Sequence, residues 1–290
     1  MRSVDLLRLI SLAAIWGASF LFMRVLAPVV GVLWSAEVRV GLAGIALLAM
    51  MLITGRAMNF RENWKSFLIL GTINSALPFA LYSYAALSIP AGYSAIVNAT
   101  SPLWGAVMGA AFLGEQLTLR KMAGMATGVL GVAFLVRLGP VEFNSTLVLA
   151  VLACVGATLC YAIVGIYTKK KLTGLTSMQM ATGSQVGAAF VLLPFLPLAP
   201  VQGEITATIA MVGIALALLC SAVAYLIYFR LMADLGPTKA LTVTFLIPLF
   251  ALLWGYLFLN EHITMNTVIG CAGVVLATWL VVFQPAPKTT

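Results

Sequence analysis

Two charged side chains, Glu37 and Arg39, fall well inside a long apolar stretch of this chain. Each costs about 2.5–3.5 kcal/mol to insert at the centre of a membrane helix, so each needs a reason to be there. A carboxylate in such a place can take up and release a proton, and charged side chains can form an outer gate. The two lie two residues apart on different faces of a helix, so they cannot simply neutralise each other. The plainer reading is a pair of interfacial groups whose side chains reach back to water.

Uncharged polar groups form a second set. Trp16 and Ser19 sit near the middle of the first apolar stretch, although Trp prefers the membrane–water interface. Trp16 either walls a solute cavity or packs between helices. Asn74, Ser75, Pro78 and Tyr82 recur at helical spacing, and Ser221, Tyr225 and Tyr228 do so later in the chain. A polar stripe facing lipid leaves donors unpaired, so each stripe must face protein or water. The two explanations are the lining of a shared cavity and interhelical hydrogen bonds, which contribute about 0.6 kcal/mol each. Tyr82 and Tyr228 offer an aromatic wall and a hydrogen-bonding tip, which suits amphipathic solutes. Ser94, Asn98 and Ser101 lie one turn apart before Pro102, and Thr244 precedes Pro248. Each proline frees the carbonyl one turn back, at Asn98 and Thr244. A freed carbonyl binds an ammonium group, marks a hinge, or belongs to a kink healed by neighbouring Ser and Thr. Ser184 and Gln185 are further polar candidates.

No Gly-rich nucleotide loop, no metal-spaced His/Cys/carboxylate cluster and no nucleophile–base pair occurs in the sequence. No cofactor, no metal and no enzymatic activity are expected, and an intramembrane enzyme would need the missing constellation. Cys154, Cys160, Cys220 and Cys271 all lie in apolar runs without a CxxC pair and read as packing residues. Gly105-x3-Gly109, Gly124-x3-Gly128 and Gly183-x3-Gly187 permit close helix packing. Such spacings arise easily among 25 glycines, so a monomer or weak homodimer is the expectation.

The elements that position these residues follow from composition. The chain is 290 residues long, 62% hydrophobic and only 8% charged, against roughly 25% charged in a soluble domain. Its outer surface must meet lipid, where helices or a closed barrel satisfy the backbone. The apolar runs extend over about 20 residues without alternation, which is the helical signature. The expected spans are 6–26, 34–54, 66–87, 93–113, 119–138, 147–167, 177–198, 206–229, 238–259 and 264–283. The first is too long for the apolar part of a signal peptide and is expected to be a retained transmembrane helix. The net charge of +8 sits in short clusters between apolar runs, which argues for orientation signals and against nucleic acid.

With the N-terminus in the cytoplasm, the inside segments carry Arg2, Arg8, Arg56, Arg61, Lys65, Arg120, Lys121, Lys169, Lys170, Lys171, Arg230, Lys239 and Lys288. The outside ends carry only Arg24 and Arg137. Both termini are therefore expected in the cytoplasm. The chain also repeats itself. Residues 79–136 align without a gap onto 225–282, pairing Tyr82 with Tyr228, Pro102 with Pro248, Gly109 with Gly255, Glu115 with Glu261, Thr118 with Thr264 and Gly124 with Gly270. Glu115 and Glu261, each just before a Thr at an N-cap position, read as helix-start signals. A five-helix repeat is odd-numbered, so the second copy enters the membrane from the opposite side. Inverted repeats of this kind place a solute site near the midplane between the halves.

The motifs in this order resemble the drug/metabolite transporter superfamily, specifically its EamA-type ten-helix members. Ile15-Trp16-Gly17-Ala18-Ser19-Phe20 with Arg24, then Arg39, Tyr84-Ala85-Ala86-Leu87, Pro102, Leu113-Gly114-Glu115-Gln116-Leu117 and Gly124 are similar to the family's first repeat. Tyr228, Pro248, Leu259-Asn260-Glu261 and Gly270 are similar to its second, which departs with Tyr161-Ala162 in place of Trp-Gly. The resemblance implies an all-α membrane protein of ten transmembrane helices in two inverted five-helix repeats, residues 1–141 and 142–290. It also implies a carrier of the inner membrane, most similar to bacterial amino-acid and aromatic-metabolite exporters. The expected partners are a small-molecule substrate and the lipid bilayer. A channel, a structural scaffold and a proton-coupled drug or metabolite efflux carrier are the rival readings.

Overall fold

The computed structural model describes residues 3–139, 141–235, 240 and 242–283. Arg2, Lys239 and Lys288, counted above among the inside charges, lie outside them. The described residues form helices and no strand. They make α1 (Ser3–Val30), α2 (Val32–Ile53), α3 (Phe60–Ala86), α4 (Ala91–Leu113), α5 (Leu119–Leu138), α6 (Ser145–Lys171), α7 (Ser177–Leu198), α8 (Ala207–Leu235), α9 (Val243–Leu259) and α10 (Met265–Val282). Nine of these are long and apolar enough to cross a membrane, and α9 is an apolar helix of 17 residues. Large apolar side chains cover the outside, with Ile53 85% and Leu119 82% exposed. That surface is stable only against lipid.

The expected spans coincide with the observed helices to within a few residues at most ends. α1, α6 and α8 run further than hydropathy marks, because polar residues such as Lys169, Lys170 and Lys171 complete the last turns. Three departures from regular α-helix bear on the site. α3 carries a π turn at Thr72–Ala76 and α8 carries one at Leu218–Val223. Pro78 lacks the N–H that would reach back to Asn74, which accounts for the first. Ala224 stands at the equivalent place in α8, and no proline explains the second. α4 is broken between Asn98 and Ser101.

The repeat reads through into geometry at the same offset. The helix ends preceding α5 and α10 both close on a left-handed residue, Gly114 (φ 68°) and Asn260 (φ 53°). Glycine adopts that conformation freely and asparagine is among the few others that tolerate it. Thr118 and Thr264 then cap α5 and α10, their side chains accepting from the Lys121 and Thr267 backbone N–H groups. α5 and α10 pack chiefly on each other at the periphery. A Cβ added at Gly131 would lie 3.1 Å from the Gly270 carbonyl, and one added at Gly124 would lie 2.9 Å from that of Ala277. The Gly124-x3-Gly128 pattern is thus used within the chain.

Glu115 and Glu261 do not start the helices that follow them. Glu261 accepts the Ala91 N–H through both carboxylate oxygens, at 2.9 and 3.1 Å, and so caps α4 in the other half. Glu115 pairs with Lys169 at 3.1 Å and Lys121 at 3.8 Å. Each carboxylate folds over a glycine one turn back, Gly109 or Gly255, where a Cβ would collide with it.

Candidate functional site

α1, α2, α3, α4, α6, α8 and α9 enclose a cavity of about 470 Å³, within the range of small-molecule sites. Nine of the expected binding residues line it: Trp16, Ser19, Asn74, Tyr82, Asn98, Ser101, Tyr225, Tyr228 and Thr244. Trp16 meets Tyr228 with ring centroids 5.3 Å apart, and Tyr82 meets Tyr161 at 6.4 Å. Phe20 packs edge-on against Tyr82 at 5.4 Å. These contacts join α1 to α8 and α3 to α6, so aromatic walls come from both halves. The Tyr82 hydroxyl donates to Asn98 Oδ1 at 2.8 Å and fixes that amide at the break in α4.

Other expected residues lie behind the wall. Ser184 and Ser75 share a 2.7 Å hydrogen bond, and Asn74 and Gln185 donate to this pair at 3.0 Å each. Ser184 and Gln185 therefore join α7 to α3 and do not face the cavity. Ser221 sits in the π turn of α8 and accepts from Arg39. Ser94 is buried and accepts from the Cys154 thiol at 3.7 Å. Pro78 is buried and follows the π turn of α3. The carbonyl that Pro102 frees, at Asn98, is taken by the Ser101 hydroxyl at 2.6 Å, so the kink is healed and offers no ligand there. Pro248 lies inside α9, and neither proline lines the cavity.

The charged candidates separate. Glu37 stays off the cavity, half-buried, with Oε2 buried and unpartnered among the described residues. Arg39 does not snorkel to the interface. It is 6% exposed and lines the cavity. Its Nε donates to Ser221 at 3.2 Å, its Nη1 approaches Met23 Sδ at 3.6 Å, and its guanidinium lies 3.7 Å over the Phe79 ring. A helix phase set by neighbouring apolar residues turns position 39 inward.

Phe20, Met23, Phe79, Tyr161, Val164, Gly165, Cys220, Val243 and Ile247 complete the wall and were not among the expected residues. The repeat offset would have found several. It relates Ser19 to Gly165, Asn74 to Cys220, Phe79 to Tyr225, Tyr82 to Tyr228, Asn98 to Thr244 and Ser101 to Ile247, and all of these line the cavity. Most of the pairs are unequal. Ser, Asn, Asn and Ser in the first half face Gly, Cys, Thr and Ile in the second. With Arg39 added, the non-aromatic polar groups come mostly from the first half.

The end of the bundle at the α3–α4 turn, opposite the start of α1 and the end of α10, is closed. Ile89, Ala91, Tyr93, Ala95, Ile96 and Val97 are each at most 2% exposed. The α3–α4 turn there is held from both sides, by Arg24 donating to the Ala86 carbonyl and by Glu261 accepting from Ala91. Burial pushes the Glu261 carboxyl above its ordinary range, against the opposing pull of the Ala91 N–H, Arg24 and the Gly92 N–H. On the other side Val243 and Thr244 stand in the first turn of α9, and Gly165 faces open space.

Two segments, residues 5–137 and 148–283, match the EamA-like transporter family. The uncharacterized transporter YvbV of Bacillus subtilis is 26% identical over 93% of this chain and 88% of its own length. The probable terminal-alkyne amino-acid exporter of Streptantibioticus cattleyicolor is 26% identical over 90% of this chain and 89% of its own. A crystal structure superimposes over 97% of this chain and 96% of its own, with a TM-score of 0.67 and 17% identity, and so shares the fold. With ten apolar helices among the described residues, a twofold repeat in the sequence and two family segments covering nearly all of it, the chain belongs to the EamA-like transporter family.

Proposed function

We propose that this chain is a secondary transporter that moves small amphipathic metabolites, amino acids including aromatic ones, across the inner membrane by alternating access and without ATP. One observation carries the reading. The two halves contribute related positions to one cavity, but the first supplies Arg39, Asn74, Asn98, Ser19 and Ser101 while the second supplies Ile247, Val243, Val164 and Cys220. A solute with a polar head and an apolar body fits such a wall. Trp16, Tyr82, Tyr161 and Tyr228 provide the aromatic surface between. The halves, residues 1–141 and 142–290, rock about this site with both termini in the cytoplasm, and the protein works as a monomer or weak homodimer. The relative named as a probable amino-acid exporter supports the substrate class. Labelled metabolites presented to proteoliposomes test the reading. Saturable, ATP-independent flux of an amphipathic amino acid is expected, and linear, non-saturating flux would point to a channel.

A second reading, proton-coupled efflux, is favoured by Glu37, whose buried Oε2 lacks a partner among the described residues. Glu37 lies outside the cavity wall, and we infer that the solute gradient alone drives transport. Uphill accumulation under an imposed pH gradient, abolished by Glu37→Gln, would establish the second reading instead.

A further inference from the structure

Arg39 is buried in the cavity wall without a counter-ion. Among the described residues, no ion pair includes it and no Asp or Glu lines the cavity. Its protein contacts are the Ser221 hydroxyl, the Met23 thioether and the Phe79 face. All are neutral, and they hold the planar group in one orientation. Nη2 makes no hydrogen bond among the described residues, and Arg39 lines the cavity. Buried arginines normally meet a carboxylate or phosphate, because leaving the charge unpaired is costly. The equivalent position in the second half is Gln185, which is buried against Ser75 and stays off the cavity. Among the described residues, the positive charge of the cavity is therefore single and comes from the first half.

We propose that the Arg39 guanidinium is the docking point for a carboxylate carried by the solute. The cavity then takes organic acids and zwitterions with an apolar or aromatic body and rejects amphipathic cations. A carboxylate matches the free edge of the guanidinium, and its single charge is balanced by one arginine. A phosphate dianion would leave one charge unpaired, since no Lys, His or second Arg among the described residues lines the cavity. The head would sit against Arg39, with the body against apolar side chains of the wall such as Val164 and Ile247. This deepens the transporter reading and rests on it for the solute's passage, but not for its binding.

Binding to the full chain in detergent separates the two. 3-Phenylpropionate, its amide, 3-phenylpropylamine and phenyl phosphate share a ring and differ in the head group. Isothermal titration should find the carboxylate about 10- to 100-fold tighter than the amide, the value of a charged hydrogen bond, with the amine and the phosphate weaker still. Arg39→Gln should reduce the carboxylate to the level of the amide and lower amide affinity far less, and Arg39→Lys should restore part of the loss. Equal binding of carboxylate and amide to wild type, tightest binding of the amine or phosphate, or no binding of any probe would overturn the proposal. So would a folded Arg39→Gln protein that keeps wild-type affinity for the carboxylate. If Arg39→Gln does not fold, the wild-type comparison decides. Carboxylate-selective binding without flux in proteoliposomes would remove the transporter reading and leave the Arg39 site standing. Flux without carboxylate preference would do the reverse.

Discussion

Arg39 Nε in α2 donates to the Ser221 hydroxyl in the π turn of α8 at 3.2 Å. Its counterpart at the repeat offset, Gln185 in α7, donates to Ser75 in the π turn of α3 at 3.0 Å. The two bonds are the same contact made twice, each time between one half and the other. Each ties a straight helix to the irregular turn of its partner, where the local helical ladder is interrupted. One copy is exposed to the cavity and charged, and the other is neutral and sealed.

These contacts should couple energetically. Double-mutant cycles pairing Arg39→Leu with Ser221→Ala, and Gln185→Leu with Ser75→Ala, are expected to show about 0.6–1.5 kcal/mol of interaction in thermal unfolding. Additivity within about 0.3 kcal/mol would mean the bonds contribute nothing across the halves.

Much of this was legible in the sequence, and the exceptions have identifiable causes. The ten spans and the repeat follow from hydropathy and from Pro, Gly, Glu and Thr matches. The Thr118 and Thr264 caps follow from residue type. The facing of polar side chains does not. A π turn adds a residue without the usual advance, so the phase drawn through Asn74, Ser75 and Pro78 slips, and only Asn74 among the three reaches the cavity. Ser184 and Gln185 show that a polar pair in a span serves helix packing as readily as a solute. Arg39 looked interfacial because distance from the helix end was visible and rotation was not. Glu261 looked local because its partner Ala91 is 170 residues away.

Glu261 gives a pH signature. Burial raises its pKa above that of an exposed glutamate, so the folded state favours the protonated form more than the unfolded state does. The stability this contributes is present below the unfolded pKa and is lost as pH rises through the raised folded one. The melting temperature in detergent should therefore fall as pH increases from the ordinary carboxylate range through the raised pKa. Glu261→Gln, neutral throughout, should flatten that part of the profile. Parallel wild-type and variant profiles would refute the assignment.

Topology is tested by fusing the C-terminus to a reporter that fluoresces only in the cytoplasm. The Lys and Arg distribution and an even number of spans predict a bright fusion. A dark fusion, with an active periplasmic reporter at the same position, would contradict the ten-span arrangement.

Whether the cavity is the route of transport is decided by counterflow of a labelled amino acid in proteoliposomes containing wild type, Tyr82→Ala, Tyr228→Ala or Asn98→Ala. Tyr82 and Asn98 hold each other at 2.8 Å, and Tyr228 meets Trp16 at a tilt with ring centroids 5.3 Å apart. Each variant removes wall surface or an anchored amide, and each is expected to lower counterflow by about tenfold or more, at roughly 1.4 kcal/mol per tenfold. Expression and melting temperature should stay near wild type. Wild-type counterflow in all three variants, or loss confined to variants that fail to fold, would show that the solute crosses elsewhere.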